Sequence, residues 1–196
     1  MKDFFLHLLT ITVGLLIALG LENAAEAFHH RHQREQAEQT IRQELRENQE
    51  QLAQSQKTVQ DEVKAMLAVL AYLEARQSGK PGDANGLTLS FSEQSLQDSA
   101  WNTAAATGVL TYMKYADVQK FAVCYKEQAL FEGIQQQALD EYLQLDSYVV
   151  RGFDPTKINP DDIKTALPVV RRALAHLIGM LDISRGTVTV YDKALR

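Results

Sequence analysis

The chain has 196 residues, 45% of them hydrophobic, with 20 Lys and Arg against 25 Asp and Glu for a net charge of −5. That is about one domain's worth of sequence with enough apolar side chains for a core, which excludes wholesale disorder, and the acidic balance speaks against nucleic acid as a partner. A single cysteine, Cys124, excludes an intramolecular disulfide framework and any multi-cysteine zinc site.

After a short tail (1–3), Phe4 to Leu21 reads FFLHLLTITVGLLIALGL, with His7 as its one ionisable side chain. At about 1.5 Å per residue this run spans roughly 27 Å, close to the ~30 Å hydrocarbon core of a bilayer. A transmembrane helix over 4–22 is therefore expected. The rival is a cleaved signal peptide, with Lys2 as a minimal basic region and Ala25-Glu26-Ala27 as the cleavage pattern. The apolar run is longer than the usual 7 to 15 residues of such a segment, and the helical pattern continues beyond it, so the anchor is preferred. Lys2 on one side and Arg31 and Arg34 on the other barely decide the orientation. The reading is a single pass in a bacterial inner membrane, the soluble part periplasmic rather than cytoplasmic. His7, Thr10, Gly14, Ala18 and Glu22 follow at spacings of three and four and line one stripe. Its small-xxx-small core lets two membrane helices approach closely, so this stripe is the expected association face.

From Glu22 to Gln77 there is no proline and no glycine. The segment 23–62 reads as a polar stalk helix whose seam is Ile41, Leu45, Leu52 and Val59, with Asn48 and Ser55 occupying two steps. So sparse a seam needs partner helices, from the same chain or from other copies. After Val63 the apolar residues thicken, and 63–196 reads as an antiparallel bundle of about four helices, with a loop at 78–91 and breaks near 108–114 and 151–159. Ser92 is the expected N-cap of a helix running through Leu96 and Trp101 to Ala104, Ala105 and Ala106, ending near Gly108. Trp101 with Ala104 and Ala105 marks a possible small pocket, the alternative being a tryptophan that closes the core. The next helix is expected over Tyr115 to Val150, and the last begins behind an Asn159 cap with Pro160 in its first turn. Pro168 is expected to kink it, and the β-branched run Thr187 to Tyr191 leaves a short strand possible. The fold class is all-α.

Chemistry is sparse. Glu26-Ala27-Phe28-His29-His30-Arg31-His32 is the densest polar cluster. Glu26 and His29 have the Glu-x-x-His spacing of carboxylate-bridged di-iron bundles, which need a second such motif. None exists, because position 173, three before His176, is alanine. The main reading is an interfacial collar at headgroup depth. A metal gathered by Glu26, His29 and His32 on an oligomer axis, or a pH-responsive collar, are the alternatives. No nucleophile elbow, phosphate loop or H-E-x-x-H motif occurs, so neither catalytic residues nor a cofactor are expected.

GLLIALGLE at Gly14 to Glu22, FHHRH at Phe28 to His32 and AEQTIRQEL at Ala37 to Leu45 resemble a group of small, uncharacterised bacterial membrane-anchored helical proteins. DSAWNTAAATGVLTYM from Asp98 to Met113 and VCYKEQ from Val123 to Gln128 continue the resemblance. It implies an uncleaved anchor and a helical domain, and no activity. The expected function is non-enzymatic association, as a homo-oligomer or as an accessory or scaffold subunit of an inner-membrane complex in contact with membrane lipid. Two alternatives stand beside it: a ligand-sensing bundle near Trp101 that signals through a partner, and the metal- or pH-responsive collar.

Overall fold

The computed structural model describes residues 2–85, 87–149 and 154–196. Four α-helices, α1 (Lys2–Gln77), α2 (Ser99–Ala106), α3 (Tyr115–Asp146) and α4 (Ile163–Leu195), are joined by 3-10 turns at Val109–Tyr112, Pro155–Lys157 and Pro160–Asp162. There is no strand among the described residues, so the chain is all-α as expected. The helix α1 runs unbroken for 76 residues, about 114 Å. Its first part reaches a mean hydropathy of 2.3 over 18 residues, and none of that window is buried by the rest of the chain. By length and composition it is able to cross a membrane.

The helical bundle is built on heptads. Buried residues of α1 include 41, 45, 48, 52, 55, 59, 62, 66, 69 and 73, with Glu44 and Tyr72 beside them. Those of α3 include 121, 124, 128, 131, 135, 138, 142 and 145, and α4 repeats the spacing from Ile163 to Ala194. Alternating steps of three and four keep one face of each helix toward its neighbours along its whole length. The helix α4 runs antiparallel to α1: Arg171 meets Glu74 at 2.8 Å, and Arg42 donates to the Ala194 carbonyl at 3.1 Å. It is antiparallel to α3 as well, with Arg172 on Glu141 at one end and Tyr191 on Gln128 at the other. It follows that α1 and α3 are parallel to each other.

Two parallel helices leave a groove for something running the other way. The sequence suggested a helix from Ser92. Instead, residues 87–98 have no regular secondary structure and α2 starts only at Ser99. The segment is a strap laid between α1 and α3. Gln135 takes both main-chain groups of Gln94: its Oε1 accepts from the N–H and its Nε2 donates to the carbonyl, each at 2.9 Å. Asn48 does the same to Gln97, at 2.8 and 2.6 Å, and Gln128 adds a second bond to the Gln97 carbonyl. Seven residues of α3 separate Gln128 from Gln135, about 10.5 Å, and three fully extended residues span about 10 Å. The strap is therefore extended, and its main-chain groups, committed to side chains, are lost to a helix.

This geometry moves a boundary. The polar stalk was expected to last to 62 and the bundle to begin at 63, but α1 is packed from Ile41 onward because α4 is long enough to return to Arg42. Ile41, Leu45, Leu52 and Val59 are all buried inside this chain's own bundle. The gap-like Asn48 and Ser55 are buried too, Asn48 on the strap and Ser55 donating to the Leu52 carbonyl at 2.8 Å. Only about 23–29 is left wholly uncovered as a stalk, because His30 already meets Tyr112 and Ala37 packs on the core. Thr187 to Tyr191 is helical rather than a strand: Thr187 and Tyr191 are fully buried on the α4 seam. Pro168 is accommodated in the second turn of α4. Asn159 caps as expected, though it caps the 3-10 turn that leads into α4, its side chain accepting from the Asp161 N–H. The α2 region does end at Gly108, which takes the left-handed φ of +73°. Met1, Gly86 in the loop and Val150 to Phe153, including most of the expected Arg151–Pro155 break, lie outside the described residues.

Candidate interaction face and groove

Along the apolar stretch the stripe residues keep their polar groups within the helix. His7 Nδ1 lies 2.8 Å from the Asp3 carbonyl oxygen, and Thr10 donates to the Leu6 carbonyl at 2.9 Å. A Cβ placed on Gly14 would meet nothing within 4 Å. His7, Thr10, Gly14, Ala18 and Glu22 are all exposed.

In the collar, Glu26 pairs with His30, at 3.3 Å, rather than with His29. The i,i+4 geometry brings those two side chains together, and His30 is further held by stacking on Tyr112, ring centroids 3.9 Å apart. His29 and His32 stay exposed. Among the described residues no group of three His, Cys, Asp or Glu side chains is placed to hold a metal ion. Within one chain, therefore, Glu26, His29 and His32 do not converge on a common point.

Beyond the collar lies a groove of about 570 Å³ between α1 and α2. Ala37, Ala100, Ala104 and Val109 supply its apolar surface, and Gln33, Gln36, Thr40, Gln43 and Glu47 form its α1 wall. The expected pocket at Trp101, Ala104 and Ala105 is thus only partly realised. Ala104 is buried and lines the groove, but Ala105 is exposed and Trp101 is not part of the lining. Its ring stacks instead on Tyr125, centroids 5.2 Å apart and tilted by 20°, closing α2 onto α3.

The floor of the groove ends at Glu44. This buried carboxylate accepts from the Tyr125 hydroxyl at 2.6 Å through one oxygen and from the Ser99 hydroxyl and Ala100 N–H through the other. It caps the first turn of α2 from across the interface, where the side chain of Asp98 makes no capping bond. Burial pushes the Tyr125 phenol well above its ordinary range, and the bond to Glu44 adds to the effect. The hydroxyl therefore stays a donor.

The wall and the stripe belong to one rigid element. At about 100° per residue, Gln36, Gln43 and Glu47 fall within about 60° of the Gly14 direction. That is the sector occupied by His7, Thr10 and Ala18. Thr40 and Gln33, also in the wall, lie about 80° and 100° from the Gly14 direction, so the groove wall overlaps the sector of the stripe along one edge.

The sequence did not mark Glu44, Glu62, Gln128 or Gln135, which anchor the strap and α2. A signal for them exists. Asn48, Ser55 and Glu62 on α1 and Gln128, Gln135 and Tyr142 on α3 are seven-residue series of polar groups inside otherwise apolar seams. The first members, Asn48 and Gln128, meet at 3.2 Å, and the last, Glu62 and Tyr142, are near enough for the Glu62 charge to raise the phenol. No family model, no curated protein and no solved structure matches this chain.

Proposed function

We propose that this chain is a non-enzymatic, membrane-anchored helical protein that works by association, with one continuous face of α1 as its contact surface. The observation that supports this reading is that the apolar segment, with its 7–22 stripe, is left uncovered by the rest of the chain, while an open groove lies on the same helix at Gln36, Gln43 and Glu47. Small residues in the apolar part allow a close helix contact, and the groove leaves room for side chains of a neighbouring helix above it. Copies anchored in one membrane share one orientation, so a second α1 arrives parallel and meets the same face, as a two-fold contact requires. An accessory role in an inner-membrane complex uses the same face with a different partner helix. On this reading the bundle faces the periplasm.

Cysteine scanning in native membranes tests the reading. Gln36→Cys and Gln43→Cys should each cross-link to their twins, while the unmodified chain, whose Cys124 is buried, should not. Cross-links to a second protein alone would replace the homo-oligomer by the accessory role. No cross-link at any stripe or wall position would remove association through this face.

A further inference from the structure

The strap is held at its far end by Glu62, and this anchor differs from the others. Glu44 has both carboxylate oxygens engaged by donors, and the amides of Asn48 and Gln135 each grip the N–H and the C=O of one strap residue. Glu62 is 3% exposed, and its Oε1 accepts from the Ser92 N–H at 2.7 Å. Its Oε2 is buried with no hydrogen-bond partner, and so is the hydroxyl of Tyr142 on α3. Phe91 covers Tyr142, ring centroids 5.0 Å apart. One end of the strap, Phe91 and Ser92, thus seals off a carboxyl group and a phenol that both lack a full set of partners. The segment before it, 80–85 and 87–91, carries no regular structure.

An ionised carboxylate with a free oxygen in such a place is poorly solvated. Burial pushes the Glu62 carboxyl up to about 7, and the Ser92 N–H opposes this only in part. The groups around it do not supply a compensating charge. On α1, Asp61 and Lys64 pair with each other at the surface; on the strap, Glu93 is exposed; on α3, Tyr142 is neutral, its own phenol raised by burial and by the Glu62 charge. On α4, Asp182 and Arg185 pair with each other and His176 is half-buried, and none of the three contributes to the shift.

We infer that the Phe91–Ser92 end of the strap is a proton-linked latch, docked while Glu62 is protonated and released when Glu62 ionises. The sign follows from linkage. With the strap lifted, the carboxyl is hydrated and returns toward its ordinary value of 4.5; with the strap docked it holds its proton up to about 7. The docked form therefore binds more protons between those limits. Docking is strongest below the lower limit and weakens by up to about tenfold per pH unit until the upper one, beyond which it is flat. Because the strap leads directly into α2, release at Ser92 loosens the approach to the groove. The latch itself stands independently of what the groove receives.

The test is amide hydrogen exchange on the full chain in detergent micelles, between pH 5 and pH 8, corrected for the intrinsic rate at each pH. Protection of the Ser92 amide should fall by at least tenfold across that range, with Gln97 changing less. In Glu62→Gln, which keeps an acceptor for Ser92 and cannot ionise, the protection should not vary with pH. Flat protection in the unmodified chain, or a parallel fall in Glu62→Gln, overturns the latch. Should that variant fail to fold, carbon-13 titration of the Glu62 carboxyl decides: a midpoint near 7 supports the latch, and one near 4.5 overturns it.

Discussion

Asn48 on α1 and Gln128 on α3 are joined side chain to side chain at 3.2 Å, and both donate to the same acceptor, the Gln97 carbonyl of the strap. Gln128 Oε1 also receives the Tyr191 hydroxyl of α4 at 3.0 Å. Three helices and the strap therefore meet at one amide. Asn48→Ala removes two bonds to the strap and leaves the Gln97 N–H without its acceptor. The expected loss is about 2–3 kcal/mol, since each buried group left unpaired costs about 1–3 kcal/mol. Equilibrium urea unfolding in detergent should show it as a lower midpoint with an unchanged slope. A loss under about 0.5 kcal/mol would mean that the strap does not depend on this clamp.

The same residues show what is legible in the sequence and what is not. Helix existence follows from periodicity, and α1, α3 and α4 are all expected from their apolar steps. The strap is not, because Ser92-Glu93-Gln94 carries good helix-start residues and local preference alone favours a helix there. The deciding interactions come from Asn48, Glu62 and Gln135, 30 to 49 residues away in the chain. The bundle begins earlier than the seam suggests for a related reason: Asn48 and Ser55 read as gaps in an apolar seam, yet a buried polar side chain that finds main-chain partners packs as securely as an apolar group. The stripe from His7 to Glu22 is visible in the sequence, but the groove on the same helix requires α2, which begins at Ser99 and not at Ser92.

Glu44 supports α2 from outside. Glu44→Ala leaves the Tyr125 hydroxyl, the Ser99 hydroxyl and the Ala100 N–H without their acceptor. A loss of about 2–4 kcal/mol is expected. Trp101, the one tryptophan, rests on Tyr125 and reports the change directly. Its emission should shift to the red as α2 loosens, and an unshifted spectrum would show α2 held by other contacts.

Two glycines inside α4 should respond differently to alanine. A Cβ at Gly186 meets nothing within 4 Å, so Gly186→Ala should stabilise the chain by about 0.5–1 kcal/mol through helix propensity alone. At Gly179 the added carbon would stand 2.6 Å from Ile134 Cδ1 on α3. The end of the isoleucine has to turn away, which offsets the gain, and Gly179→Ala should come out near neutral. Equal stabilisation by both would show that α3 and α4 are not closely packed at this level.

Alkaline pH should unfold the domain through groups that its core keeps protonated. Burial pushes the Cys124 thiol up to about 12, and it is the main reason the phenols of Tyr125, Tyr142 and Tyr191 are raised as well. All four are acids whose charged form is excluded from the interior. The folded chain therefore binds more protons than the unfolded one once pH exceeds the ordinary values of 9.0 for the thiol and 10.0 for the phenols. Stability should hold below those values and fall steadily as pH rises through them. Absorbance of tyrosinate, followed with circular dichroism, should show two populations among the seven tyrosines. One ionises near its ordinary value; the other, including these three, ionises only as helicity is lost. Cys124 should likewise resist maleimide at pH 8 until urea unfolds the chain, because the reactive thiolate is scarce and enclosed. Smooth titration of every tyrosine before the helices melt would mean that the α1–α3–α4 seam is open to water.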